Sequence, residues 1–212
     1  MAERRGGGAV VGIAVIAAMV SALFLGRVFL FDDDPPKLLL IGDSVTFLSA
    51  GAIDQRFDRE HLQYLTMPGF TTGDLLPLVD EALGQPDGIA AAREQVVVLV
   101  GYNDVATGTI ETDALVAMAE RTSTFDCAVW LTLPARPGGQ PSVDDSMAVA
   151  DVERWNERLA AVAESSDNLR LVDDWQDAVE ADATLLEDGV HPTSEGQQVL
   201  AEIMRVAVGR TC

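Results

Sequence analysis

The chain has 212 residues, enough for one domain of ordinary size and a short appendage, and its 48% hydrophobic content allows a sizeable core. Against 14 basic residues stand 34 acidic ones, a formal net charge of −20. Such a field repels phosphate backbones and anionic headgroups, which argues against a nucleic-acid-binding role, and its simplest use is solubility.

From the N-terminus, residues 1–8 are a short basic stretch and Ala9 to Gly26 carries no charged side chain. As a helix that run is about 27 Å long, close to the roughly 30 Å of a bilayer's hydrocarbon core. Arg27 interrupts it and Val28 to Phe31 resume; an arginine so near one end can snorkel to the headgroups. Residues 9–31 are therefore expected to be a single transmembrane signal anchor. Arg4 and Arg5 before it and Asp32, Asp33 and Asp34 after it place the N-terminus in the cytoplasm and the rest of the chain outside, on the cell membrane. A cleaved signal peptide is the main rival, although no small-x-small site follows and the run exceeds a usual signal core. No cysteine lies just beyond it to take a lipid.

Residues 32–36 read as a linker, and residues 37–212 as one domain in which strand-like and helix-like segments alternate. Strands are expected at Lys37 to Ile41, Leu62 to Met67, Gln95 to Val100, Ala128 to Leu133 and Leu169 to Val172. Three of them are nearly continuous Val, Leu and Ile, the mark of strands covered on both faces. Helices are expected at Val45 to Arg56, Asp74 to Leu83, Asp113 to Phe125, Ser146 to Ser165 and Ser194 to Val208, with Thr112 capping the third and Ser194 with Gln197 forming a capping box on the last. The alternation predicts an α/β fold, a doubly wound five-stranded parallel sheet with helices on both faces. Pro134 to Asp145 is the longest expected loop.

Ligands of such sheets gather at the carboxyl ends of the strands, so the turns there hold the candidates for chemistry. After the first strand comes Gly42-Asp43-Ser44-Val45, whose glycine permits a tight turn and whose serine stands at a helix start, either as a reactive hydroxyl or as a plain N-cap. Gly69, in Met67-Pro68-Gly69, can offer a backbone N–H without a side chain in the way, though Pro-Gly is also common turn chemistry. Asn103, in Gly101-Tyr102-Asn103-Asp104, offers an amide donor or a bond to its own turn. Before the last helix, Asp188-Gly189-Val190-His191-Pro192 supplies an imidazole base and, three residues earlier, a carboxylate able to fix its tautomer.

Together these four blocks resemble those of the SGNH (GDSL-like) hydrolases, and the likeness runs over almost the whole chain after Lys37. The resemblance implies a three-layer α/β fold and a serine esterase in which Ser44 is the nucleophile, His191 the general base and then acid, and Asp188 the group that orients it. It also implies an oxyanion hole built from the N–H groups of Ser44 and Gly69 and the side-chain amide of Asn103. Val45 stands where the name-giving motif has leucine, and Met67 where many members carry asparagine. Trp155-Asn156 is similar to a recurring family feature, while its own residues read as core packing.

The expected activity is hydrolysis of short-chain or acetyl esters of cell-envelope carbohydrate or lipid. Transfer of the acyl group to an envelope sugar is the alternative, and a catalytically silent glycan-binding module a third reading. No cofactor and no metal site are implied. His61 reads as a surface histidine, and Trp130, Trp155 and Trp175 as core or pocket-wall aromatics. Cys127 and Cys212 are compatible with one disulfide in an oxidising compartment or with two free thiols.

Overall fold

The computed structural model describes residues 37–110, 113–135 and 149–212. The expected anchor at 9–31, the linker at 32–36, the Thr112 cap and most of the long loop lie outside these residues. Among the described residues no helix is long and apolar enough to cross a membrane.

Five parallel strands form one sheet: β1 (Leu38–Gly42), β2 (Leu62–Thr66), β3 (Gln95–Leu99), β4 (Cys127–Leu131) and β5 (Leu169–Val172), in the order β2-β1-β3-β4-β5. All residues of β1 and β4 are buried, as are four of the five in β3, because these central strands are covered on both faces; β2, at one edge, is half-buried throughout. Each lies within a residue or two of its expected bounds.

The helices are α1 (Ser44–Ile53), α2 (Thr72–Leu83), α3 (Ile89–Ala92), α4 (Tyr102–Thr107), α5 (Ala114–Thr122), α6 (Val149–Glu164), α7 (Asp174–Ala181) and α8 (Ser194–Thr211). β1 passes to β2 in one direction, whereas every later crossover runs the other way. Right-handed connections therefore put α1 on one face and α2 to α6 on the opposite one. The contacts agree: α1 and α7 both pack on α8, while α2 packs on α5 and α5 on α6. The reversal between β1 and β3 opens a crevice at their carboxyl ends, the usual ligand position in open sheets.

Three helices were not expected, α3, α4 and α7, all of eight residues or fewer. Asp113 stands in the N-cap position of α5 and makes no side-chain cap bond there. On α8 the cap is Thr193, one residue earlier than expected, with its hydroxyl accepting from Gly196 N–H at 3.1 Å; the Ser194–Gln197 box does not form. Gly196 is held small at this point, since a Cβ would strike the Leu185 carbonyl. Cys127 and Cys212 form a disulfide with Cα atoms 5.6 Å apart, which joins the first residue of β4 to the end of α8.

Candidate active site

Register brings three of the four turns together. Gly42 at the end of β1 lies opposite Thr66 of β2 and Leu99 of β3, so the segments carrying Ser44, Gly69 and Asn103 leave the sheet side by side. Met67 N–H donates to Gly42 O at 3.1 Å and prolongs that pairing into the second turn.

The N-cap of α1 is Asp43, whose Oδ1 accepts from Val45 N–H at 3.0 Å. Ser44 is thereby released from capping and becomes the first helical residue, its own N–H without an intrahelical acceptor. Gly42 cannot carry a side chain, because a Cβ would collide with Thr46. The Ser44 Oγ lies 3.0 Å from His191 Nε2, and His191 Nδ1 lies 2.7 Å from Asp188 Oδ2.

The loop that delivers His191 is stiff for local reasons. Asp188 Oδ1 accepts from the N–H groups of Val190 (2.9 Å) and His191 (2.8 Å), and Gly189 takes φ +86°, a value that favours glycine. Glu187 N–H donates to His191 O at 2.8 Å, and Leu186 bridges to Pro192 just outside. Burial opposes the Asp188 charge, yet the hydrogen bond from His191 and the two backbone N–H groups outweigh it and hold the carboxyl below the usual range. Asp188 therefore stays ionised where it can fix the imidazole tautomer with the proton on Nδ1.

Gly69 sits in the left-handed region at φ +79°, in a turn closed by Phe70 N–H donating to Met67 O at 3.3 Å. Asn103 does not bond its own turn. Its Nδ2 donates one proton to Phe70 O at 2.9 Å, so the third turn is tied to the second and the other amide proton is left to point elsewhere. The next residue makes a second tie. Asp104, 1% exposed, accepts at Oδ2 from Thr72 N–H (2.8 Å) and Thr72 Oγ1 (2.9 Å) at the start of α2.

Sequence reading missed Asp104 as a support, together with Asp43 as the cap. One acidic side chain among 34 does not announce its burial; the signal available was a carboxylate next to the candidate residue in two of the blocks, Asp43 before Ser44 and Asp104 after Asn103. Asn156 likewise does more than pack: its amide donates to Leu133 O (2.8 Å) and accepts from Leu133 N–H (2.9 Å), pinning the exit of β4. Trp155 lies beneath Gly101, where a Cβ would meet its ring, and all three tryptophans are buried core residues. His61 is half-buried at the start of β2, at the sheet end opposite the site, so it is neither a plain surface residue nor a site residue.

A hydroxyl bonded to an imidazole that is itself held by a carboxylate can lose its proton as it attacks a carbonyl carbon. Such a row at the carboxyl edge of a doubly wound sheet defines a serine hydrolase. The chain belongs to the GDSL-like Lipase/Acylhydrolase family, which matches residues 40–199, and it is a serine hydrolase acting on ester bonds. No curated protein matches its sequence.

Among solved structures it is similar to a GDSL-like lipase from Bacteroides thetaiotaomicron, with 18% identity over 91% of this chain and 97% of that one and a TM-score of 0.64. The C-terminal catalytic domain of Streptococcus pneumoniae peptidoglycan O-acetyltransferase A has the same TM-score, with 17% identity over 82% and 93%. An acetylxylan esterase from Geobacillus stearothermophilus follows at 0.58, with 18% identity over 82% and 94%. At these identities the likeness is one of fold.

Two predictions arise here. If Asn103 supplies a preorganised donor to the oxyanion, Asn103→Ala lowers kcat by about 10² to 10³ with little change in KM. Steady-state kinetics on an activated ester checks this, and a change confined to KM would make Asn103 a binding or turn residue.

The second concerns Asp43, fully buried, whose carboxyl is pushed up to about 7 by burial and, less strongly, by the neighbouring Asp104, against the Val45 N–H and the charge of His191. Its folded value lies above its unfolded value near 3.8. Between roughly pH 4 and 7 the folded chain thus keeps a proton that the unfolded chain releases, and stability falls as pH rises, by on the order of 4 kcal/mol. Asp43→Asn keeps a cap acceptor but cannot titrate, so its unfolding free energy relative to wild type climbs across that window. Urea unfolding at pH 4.5 and pH 8 measures the difference, and parallel pH curves for the two proteins would refute it.

Proposed function

We propose that Ser44 is the nucleophile, His191 the base and Asp188 its orienting partner in hydrolysis of short-chain, including acetyl, esters of cell-envelope carbohydrate or lipid. The observation that carries this reading is the unbroken hydrogen-bonded row from Ser44 Oγ to Asp188 Oδ2.

Ser44 Oγ attacks the ester carbonyl while His191 Nε2 takes its proton. The N–H groups of Ser44 and Gly69 and the Asn103 amide hold the oxyanion, and the alcohol leaves with the proton returned from His191. Water then repeats the sequence on the acyl-enzyme and frees the acid. The anchor at residues 9–31 tethers the domain to the outer face of the cell membrane, beside such esters. A disulfide within the domain suits that oxidising side.

Transfer of the acyl group to a sugar hydroxyl is the second reading. It is favoured by one observation, the fold shared with the catalytic domain of a peptidoglycan O-acetyltransferase. Transfer requires the acyl-enzyme to be shielded from water while an acceptor is positioned.

The test incubates the full-length protein with an activated acyl ester and envelope oligosaccharides and compares free acid with acylated sugar by mass spectrometry. Free acid as the main product is expected; acylated sugar as the main product would make the enzyme a transferase with the same row of groups. Absence of both would leave a glycan-binding module. Recovery of the chain with membranes, and its digestion by protease added to intact cells, checks the tether.

A further inference from the structure

α1 runs SVTFLSAGAI, ten residues without a charge in a chain of net charge −20. A helix with no charge on any side is normally covered on every side. This one is not: Phe47 is 50% exposed and Leu48 45% exposed, whereas Val45, Ala52 and Ile53 are in the core. Ser44, Phe47 and Leu48 stand at i, i+3 and i+4 and so share one helix face, continued by exposed Gly51 at i+7. Helical side chains lean toward the N-terminus, which brings Phe47 and Leu48 back over the turn that begins with Ser44.

Five large hydrophobics are exposed among the described residues, and three of them, Phe47, Leu48 and Met67, follow β1 and β2 at the catalytic edge. Met67 stands two residues before Gly69.

We infer that Phe47 and Leu48 form an open apolar shelf that receives the acyl chain of the substrate, so that the enzyme prefers esters of medium-length fatty acids to acetyl esters. This rests on the assignment of Ser44 as nucleophile and replaces the short acyl group of that reading with one of medium length. The shelf starts at the hydroxyl to which the acyl carbon becomes bonded, and continuity with that atom selects the acyl chain, rather than the alcohol, as its occupant. At 1.5 Å per residue Leu48 stands about 6 Å along the axis from Ser44, the reach of roughly six carbons linked by bonds of about 1.5 Å. Each methylene fully removed from water is worth about fourfold in binding; a one-sided shelf covers about half of it, or about twofold per methylene.

The experiment measures kcat/KM of the full-length protein on p-nitrophenyl esters from acetyl to decanoyl. The readout is the hexanoyl-to-acetyl ratio, which does not depend on how much of a preparation is active. Wild type is expected to give a ratio on the order of ten, with a plateau beyond about six carbons. The double variant Phe47→Ser/Leu48→Ser is expected to bring the ratio to about one or two, while Val116→Ser, which removes an exposed apolar residue from α5, keeps the wild-type ratio.

A flat wild-type series, or a steep series that the double variant leaves unchanged, overturns the inference while Ser44 keeps its role. So does a double variant that loses affinity for lipid vesicles with its ratio intact, since the helix face then meets a lipid surface. Failure of wild type to turn over any ester removes the hydrolytic reading and this inference with it.

Discussion

Replacing Ser44 with alanine is expected to reduce ester hydrolysis to a background level while the domain remains folded. The hydroxyl makes one hydrogen bond, to His191 Nε2 at 3.0 Å, and the capping of α1 belongs to Asp43, so no backbone donor is orphaned when the hydroxyl goes. Alanine is also the better helix former at an interior or first-turn position. Loss of the nucleophile in hydrolases that use such a row costs on the order of 10⁶ in kcat, with a residue of about 10³ to 10⁴ over water left by oxyanion stabilisation and binding. Because the three groups act as a unit, adding His191→Ala to Ser44→Ala should lower the rate no further. Initial rates on p-nitrophenyl acetate with matched thermal melts decide the matter. Retention of more than about a tenth of wild-type kcat would sink the assignment of Ser44, and a further tenfold drop in the double variant would mean that His191 acts without it.

The central sheet was readable from sequence because its strands are unusual in composition. Leu38 to Ile41, Val96 to Leu99 and Ala128 to Leu131 are apolar at every position, and only a strand covered on both faces can hide such a run. The short helices were not readable for the opposite reason. In α7 only Trp175 and Val179 are buried, and two apolar positions on a polar background do not establish a helical period. α4 occupies six residues that also read as a turn, entered through Gly101 at φ +120° where the chain lies against the Trp155 ring.

Within the site the candidate groups stand out as residue types, whereas their supports do not. Histidine is rare in this chain, with two copies, which makes Asp188-Gly189-Val190-His191 conspicuous. Asp43 and Asp104 belong to an acidic population spread over the surface, and only burial separates them from it. The cost of that burial shows in their chemistry. Both carboxyls are pushed above the ordinary range, chiefly by desolvation, in a region where Asp188 is pulled below it by hydrogen bonds from His191 and the loop backbone. One kind of side chain thus serves as a buried scaffold under the serine turn and as a half-exposed partner beside the histidine, and the difference lies mainly in how far each is removed from water.

Loss of the Cys127–Cys212 disulfide is expected to lower the stability of the domain strongly. The bond closes a loop of 85 residues, and restricting the unfolded chain over that length is worth about 4 to 5 kcal/mol on the chain-entropy account. For a domain of this size each kcal/mol moves Tm by about 2 to 4 °C, so reduction or Cys212→Ser should lower it by on the order of 10 to 15 °C. Activity at 25 °C should be nearly unaffected, for a positional reason. Cys127 is the first residue of β4 and Cys212 ends α8, whereas Ser44 follows the carboxyl end of β1 and His191 precedes the start of α8, so the bond and the reactive groups lie at opposite ends of the same elements. α8 also remains docked through buried Leu200, Met204 and Ala207. Thermal melts with and without reductant, paired with rates at 25 °C, separate the two roles. A Tm shift below about 2 °C would mean that the bond does little to restrict the unfolded chain. A fall in kcat at 25 °C that tracks the shift in Tm would mean instead that the far end of α8 holds His191 in register with Ser44.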